Sequence, residues 1–387
     1  MKKSLSLLLL AVLFLGINKA YSQERLNFNA EYTGDFLYNV GGLKNGGGYL
    51  GYAKIGMGAD LWKGASLYIG GGTTHGIVPS EMFIGDFQVA NNIEAGNHAF
   101  MEYFSLQQSF GKFSIKVGLQ DMNENFAAID AAGEYINSSF GIHPVFSTNL
   151  SVAIFPLTGL GAEIHYEIND NWHVQAAVYD GEIPSFEDDN TYNLNWRIGK
   201  DEGALFIGEG HYVRDNGTYK LGAFYHTAAI NYGFYANAEQ EVWNNGTRNL
   251  KPFVQIGYAN NISETQKLRN SAPQNYFHLA AGLNLEGVFS EEGLDMAGLA
   301  FTSAFLSDKK TETAIELFYQ YQITDNFVVK PDVQYIINPA GLDIPVDNAL
   351  VGTLRFMIGS RVKDSKLSRK VRRLLLTLSL IPRTARR

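Results

Sequence analysis

The chain has 387 residues, 45% of them hydrophobic and 13% aromatic, with 40 Gly, no Cys and a formal net charge of −8. The absence of cysteine excludes a disulfide framework, and beyond the opening segment no apolar run approaches the ~18 residues of a membrane-spanning helix. With both basic ends set aside, residues 23–360 carry 18 Lys or Arg against 38 Asp or Glu, a net of about −20, which disfavours nucleic acid and anionic substrates.

The first element is Lys2 and Lys3, the apolar run LSLLLLAVLFLGI and the small-residue site Ala20-Tyr21-Ser22. That order predicts a secretory signal peptide over 1–22, with the mature protein starting at Gln23 in a bacterial envelope compartment. No Cys lies at the junction, so lipoprotein processing is not expected.

From there the chain reads as short alternating strands. Residues 160–168 set Leu160, Ala162, Ile164 and Tyr166 against Glu163, His165 and Glu167, and 172–178 set Trp172, Val174, Ala176 and Val178 against His173 and Gln175. Further on, Ile315, Leu317, Tyr319 and Tyr321 alternate with Glu316, Gln320 and Gln322, and after a turn at 324–326 the odd positions 327–337 are apolar opposite Lys330, Asp332 and Gln334. A half-solvated soluble sandwich would alternate in the same way. Strand length separates the two, because the strands run about 8 to 13 residues, close to the ~9 to 11 that cross a bilayer at a tilt, with aromatics toward their ends.

Tight connections at 62–65, 110–112, 169–171, 215–218, 242–249, 289–293 and 324–326 alternate with longer ones at 37–48, 73–98, 120–159, 180–203, around Ala228, 260–274, 306–312 and 338–347. Seven turns alternating with eight loops predict an all-β fold, a transmembrane antiparallel up-and-down β-barrel of about 16 strands over 23–360, with both ends on the periplasmic side. The segment FSTNLSVAIFP, 146–156, looks like a strand, but counting it as one would put the tight 169–171 turn on the outer side. It therefore falls inside the third loop, which at about 40 residues is long enough to be functional and to fold into the lumen. Pro331 is expected to be a rim irregularity in its strand.

Five blocks carry a resemblance: GLQDMNENFA (118–127), WHVQAAVYDG (172–181), KLGAFYH (220–226), GFYANAEQEVW (233–243) and IELFYQYQITDNFVVKPDVQYIINPAG (315–341). In that order they resemble the carbohydrate-selective porin family, the OprB type. The resemblance implies a sixteen-stranded outer-membrane porin that passes sugars by diffusion. The chain departs from the family pattern at Glu291 and Glu292, where a basic residue is expected before Asp295, and in the basic tail 361–387, which runs on past the strand DNALVGTLRFMI. That tail is expected to be an extension outside the barrel, replacing a native terminal residue or two, with a surface-lying amphipathic helix as the alternative.

Sugars need weak partners, carboxylates and amides for hydroxyl groups and rings for C–H faces. The expected pathway residues are Asp121, Asn123, Glu124 and Asn125 at an acidic constriction in the third loop, with Asp130 and Glu134 behind them. On the wall they are Glu163, His165, His173, Glu239, Glu241, Glu316, Lys330, Asp332, Gln334 and Arg355. No cofactor, metal or catalytic group is expected. The expected partners are small neutral carbohydrates, membrane lipid with outer-leaflet lipopolysaccharide and the barrel assembly machinery, and alternating apolar faces fit a homotrimer as well as a monomer. A cation-preferring general porin and a non-conducting scaffold or adhesin barrel remain alternatives. An anion channel would need Lys or Arg at the constriction, and the third loop has none. An outer-membrane lipase would need Ser138 or Ser139 beside His143.

Overall fold

The computed structural model describes residues 26–186, 190–260, 274–342 and 344–359. The expected signal peptide and the tail lie outside these residues. Sixteen strands form the wall: β1 (Leu26–Gly41), β2 (Gly46–Trp62), β3 (Ala65–Gly76), β4 (His98–Phe110), β5 (Phe113–Gln120), β6 (Gly159–Glu167), β7 (Trp172–Asp180) and β8 (Ala204–Arg214). The second half holds β9 (Gly217–His226), β10 (Asn231–Gln240), β11 (Asn249–Ala259), β12 (Asn275–Glu286), β13 (Asp295–Leu306), β14 (Thr311–Thr324), β15 (Phe327–Ile337) and β16 (Ala349–Gly359). A two-residue strand, Trp243–Asn244, pairs with Leu250 and Asn249 beside the β10–β11 turn. Each wall strand pairs antiparallel with its neighbours, and β16 pairs with β1 from Ala349↔Gly41 to Gly359↔Glu31, closing the barrel. No helix among the described residues is long and apolar enough to cross a membrane.

Burial separates this barrel from a soluble sandwich. Along β14, Ile315 and Leu317 are exposed while Glu312 and Glu316 are buried. A water-soluble sheet hides its apolar face; here that face is on the outside, as lipid requires, and the polar face is inside. The seven tight turns lie at the end where the described barrel begins and finishes.

One detail differs from the sequence reading and another agrees with it. The first connection is four residues long, since Gly46–Gly48 join the ladder opposite Leu37, Tyr38 and Asn39, and the chain turns through positive φ at Gly41 and Gly42. Pro331 points outward, and its register with β16, opposite Leu354, is unbroken. On the β14 side the ladder runs from Thr313 to Phe318 and resumes at Tyr321, skipping the two residues that face Pro331 and Lys330. The missing donor thus appears as a local gap near the turn end of the strand, where the register also shifts between Gln322 and Thr324.

Candidate functional site

Two long connections fold back into the barrel: 121–158, as expected, and 77–97, which alternation alone did not mark. The upper inner wall of β7–β11 is apolar, and 121–158 seats on it. Met122, Phe126, Val145 and Phe146 pack against Tyr179, Leu205, Ile207, Phe224 and Tyr235. A second dry cluster joins Tyr135 and Phe140 to Phe253 and Phe318.

A loop in the middle of a barrel must satisfy its backbone, and the wall supplies the partners. Glu209 accepts from Ala127 N (2.8 Å), Glu239 from Ala131 N (2.7 Å), and Glu316 from Ile136 N (2.5 Å) and Asn137 N (3.0 Å). Asn237, Gln255 and Asn284 donate to the carbonyls of Ala127, Phe140 and Ala131. The 77–97 loop is held in the same way. Glu312 accepts from Phe87, Gln88 and Ala340 N, and Gln334 donates to Ala90 O. Arg355 forks onto Asp35 (2.8 and 2.9 Å) and donates to Asn91 and Asn92, both from that loop.

Most of the expected pathway residues are therefore engaged in holding loops. Asp121 caps its own turn, accepting from Asn123 N (2.7 Å), and also accepts from Phe155 N (3.1 Å); burial pushes its carboxyl up to about 7. Asn123 donates to Phe126 O and Gly141 O, and Asn125 to Glu163. His165 and Tyr179 both bond Glu163. His173 faces His211 across β7 and β8, and His211 bonds Glu209. Lys330 donates to Glu134 O, while Asp332 is buried beside Gln334. Glu241 lies past the end of β10, bonded to Asn216 in a turn, away from the loops.

Of the DMNEN group, Glu124 is the side chain left open to the lumen, with Asp130 exposed nearby. Glu124 does not stand in an acidic ring. Lys54 of β2 and Lys116 of β5 approach it at 3.8 and 3.7 Å, and Lys54 also bonds Glu102 of β4 at 2.9 Å. The expected acidic constriction is thus a mixed set of two lysines and two glutamates. Sequence reading looked for cations in the loop and missed those on the wall, although Lys54 and Lys116 alternate with outward residues of β2 and β5. His143 bonds Asn237 (2.7 Å) and His278 (3.0 Å) through its two ring nitrogens, so neither is left for Ser138 or Ser139.

Sixteen closed antiparallel strands, short turns at one end, and loops returned into a polar-lined lumen define a porin of the Gram-negative outer membrane. The family model described as carbohydrate-selective porin, OprB family, matches residues 44–231 and 227–359, and the chain belongs to that family. Porin B of Pseudomonas aeruginosa is 24% identical over 260 residues, 52% of this chain and 55% of its own length, so the chain matches about half of that relative. The high-pH structure of Pseudomonas putida OprB superposes with a TM-score of 0.76 at 20% identity, covering 87% of this chain and 94% of that one. An anion-selective porin from Comamonas acidovorans superposes at 0.55 with 10% identity, covering 86% and 99%. At these identities both likenesses concern the fold.

Proposed function

We propose that the chain is a passive pore for small neutral carbohydrates. The observation that carries the reading is the convergence of Lys54, Lys116, Glu102 and Glu124 where the 121–158 loop faces the bare wall of β2–β5. Four charged groups that nearly cancel give no deep well for either ion, yet offer donors and acceptors to a molecule made of hydroxyl groups. Weak, multiple partners suit flux, since a solute held tightly leaves slowly. Purified protein in a planar bilayer should show stable conducting steps that a neutral saccharide partly blocks; a silent bilayer would overturn the reading.

A non-conducting barrel is the second reading, favoured by the dry clusters through which both loops fill the lumen. Deleting 128–147 separates the two. A plug would change a silent protein into a conducting one, whereas a constriction would only widen a channel that already conducts.

A further inference from the structure

Between β4 and β6 the ladder stops short of the outer rim. β5 holds 8 residues, fewer than the ~9 to 11 a tilted strand needs to cross a bilayer. Its ladder with β4 ends at Phe104↔Leu119, while β4 itself continues upward to His98, and its ladder with β6 ends at Gln120↔Gly159. Met101 and Thr158 thus border a notch above the end of β5. Hydrocarbon offers no partner to backbone groups, so such a notch must be filled from within the chain.

The connection between β7 and β8 fills it. Met101 N donates to Tyr192 O (2.9 Å), and Asn193 Nδ2 donates to Met101 O (3.0 Å) and to Thr158 O and Oγ1 (3.1 and 3.0 Å). Asn193 takes a left-handed φ of 52°, which Asn tolerates better than most residues. Asn190 braces it, donating to its side chain and accepting from Asn195 N. The connection clasps the rim from both faces: Phe186 stacks on His98 of the inner face at 3.9 Å, and Trp196 on Phe104 of the outer face at 5.8 Å and 21°. Around Asn193 the chain alternates. Tyr192, Leu194, Trp196 and Ile198 are 60, 57, 36 and 72% exposed, whereas Asn193 is 2%. The indole N–H of Trp196 donates to Asn193 O (2.7 Å), so the ring presents carbon outward. Beyond Ile198 the sequence turns charged at Lys200, Asp201 and Glu202, with Arg197 3.8 Å from Glu202, which marks where the apolar face ends.

We infer that 190–198 is a strap seated in the outer leaflet, with its Tyr192, Leu194, Trp196 and Ile198 side covered by lipid acyl chains. The occupant follows from continuity, because Trp196 extends a face that Phe104 of β4 already turns to lipid. An apolar row of this length left in water would be costly, and lipid removes that cost. The strap completes the wall where β5 falls short: Asn193 satisfies the backbone on both sides of the notch, and the alternate residues face the membrane. It lies on the outside of the barrel and holds its lipid whether or not the channel conducts.

The chain has no Cys, so nitroxide labels can be placed singly on the full-length protein at Leu194→Cys, Ile198→Cys and, as the aqueous reference, Asp201→Cys, in dimyristoylphosphatidylcholine vesicles. The ratio of oxygen to nickel-chelate collisions at 194 and 198 should exceed that at 201 about fivefold. A ratio equal to that at 201 puts the strap in water and overturns the inference. Low collision rates with both reagents put a second copy of the chain over it and overturn it equally. Adding Asn193→Ala should lower the ratio at 194 toward the value at 201; no change overturns the clasp. A label-free measurement covers the case in which a substitution disturbs folding. Trp62, Trp172 and Trp243 lie at the turn end of the barrel, and with all three replaced by Phe the emission of Trp196 should be quenched by brominated acyl chains and little altered by acrylamide. The reverse order overturns the strap.

Discussion

The two loops inside the barrel are anchored alike and present themselves differently. Both are held by buried wall carboxylates that accept backbone N–H groups, Glu312 for 77–97 and Glu209, Glu239 and Glu316 for 121–158. Of the three acids of the first loop, Asp86 is buried, Glu94 is half-buried and bonded to Ser80, and Glu81 is exposed. In the second, Asp130 is exposed and Glu124 meets the wall lysines Lys54 and Lys116. Length and position make neither loop a selectivity element. What its charged side chains meet does, and on that ground we read 77–97 as a wedge and 121–158 as the constriction.

The sharpest way to break this distinction is to remove one anchor from each loop. Glu312→Ala strands three buried N–H groups and Glu316→Ala two, and each should cost roughly 2–4 kcal/mol, seen as earlier loss of the compact barrel on heating. Only Glu316→Ala should raise single-channel conductance and noise. Equal conductance changes in the two variants would erase the division of roles.

The two loops should loosen at opposite ends of the pH range. Burial raises Asp86 to about 6 and Glu94 to about 8, so between the ordinary carboxyl range and these values the folded loop binds more protons than the unfolded chain. Its hold is strongest at low pH and is lost as pH rises through about 6 to 8. Burial lowers His143 to about 4 from an ordinary value near 6.5, so the hold on 121–158 is lost as pH falls through that interval. Asp121, raised to about 7 at the root of the same loop, works in the other direction and narrows the effect. Limited proteolysis across pH 4 to 9 should cut 77–97 first on the alkaline side and 121–158 first on the acid side; both opening at one end would contradict the assignment.

Smaller effects are expected at the charged cluster. Glu124→Gln should shift the cation-to-anion permeability ratio toward anions about twofold and Lys116→Gln toward cations, both fading in high salt as screening shortens below ~8 Å. Unaltered reversal potentials in both would place the ion path elsewhere. The least change belongs to Glu241→Gln, whose partner lies in a turn: stability within about 0.5 kcal/mol of the parent and unchanged conductance.

Strand number and the extent of 121–158 were legible in the sequence because a barrel enforces strict alternation of turns and loops, and one miscounted strand inverts everything after it. The inward wedge was not. Its apolar residues Phe83, Ile84, Phe87, Ala90 and Ile93 look like ordinary loop composition until the wall that receives them is in place, and in retrospect so many in one external connection were the signal. Alternation also misleads where a loop docks, since Leu205, Ile207 and Phe224 face the lumen side yet never meet water. Roles within DMNEN were beyond reach for a similar reason: Asp121, Asn123 and Asn125 turn back to bond their own loop or the wall, which depends on where Phe155, Gly141 and Glu163 lie in space.

The Arg355–Asp35 fork has a consequence for how the barrel is assembled. It bridges residues 320 apart, one on each side of the seam between the first strand and the last, and Asn91 bonds both partners from within the wedge. Closing so long a chain segment is entropically costly and kinetically late. Because Asn91 bonds both partners, seam and wedge stabilise each other, and if they form together a substitution at Asn91 should slow membrane folding more than it weakens the finished protein.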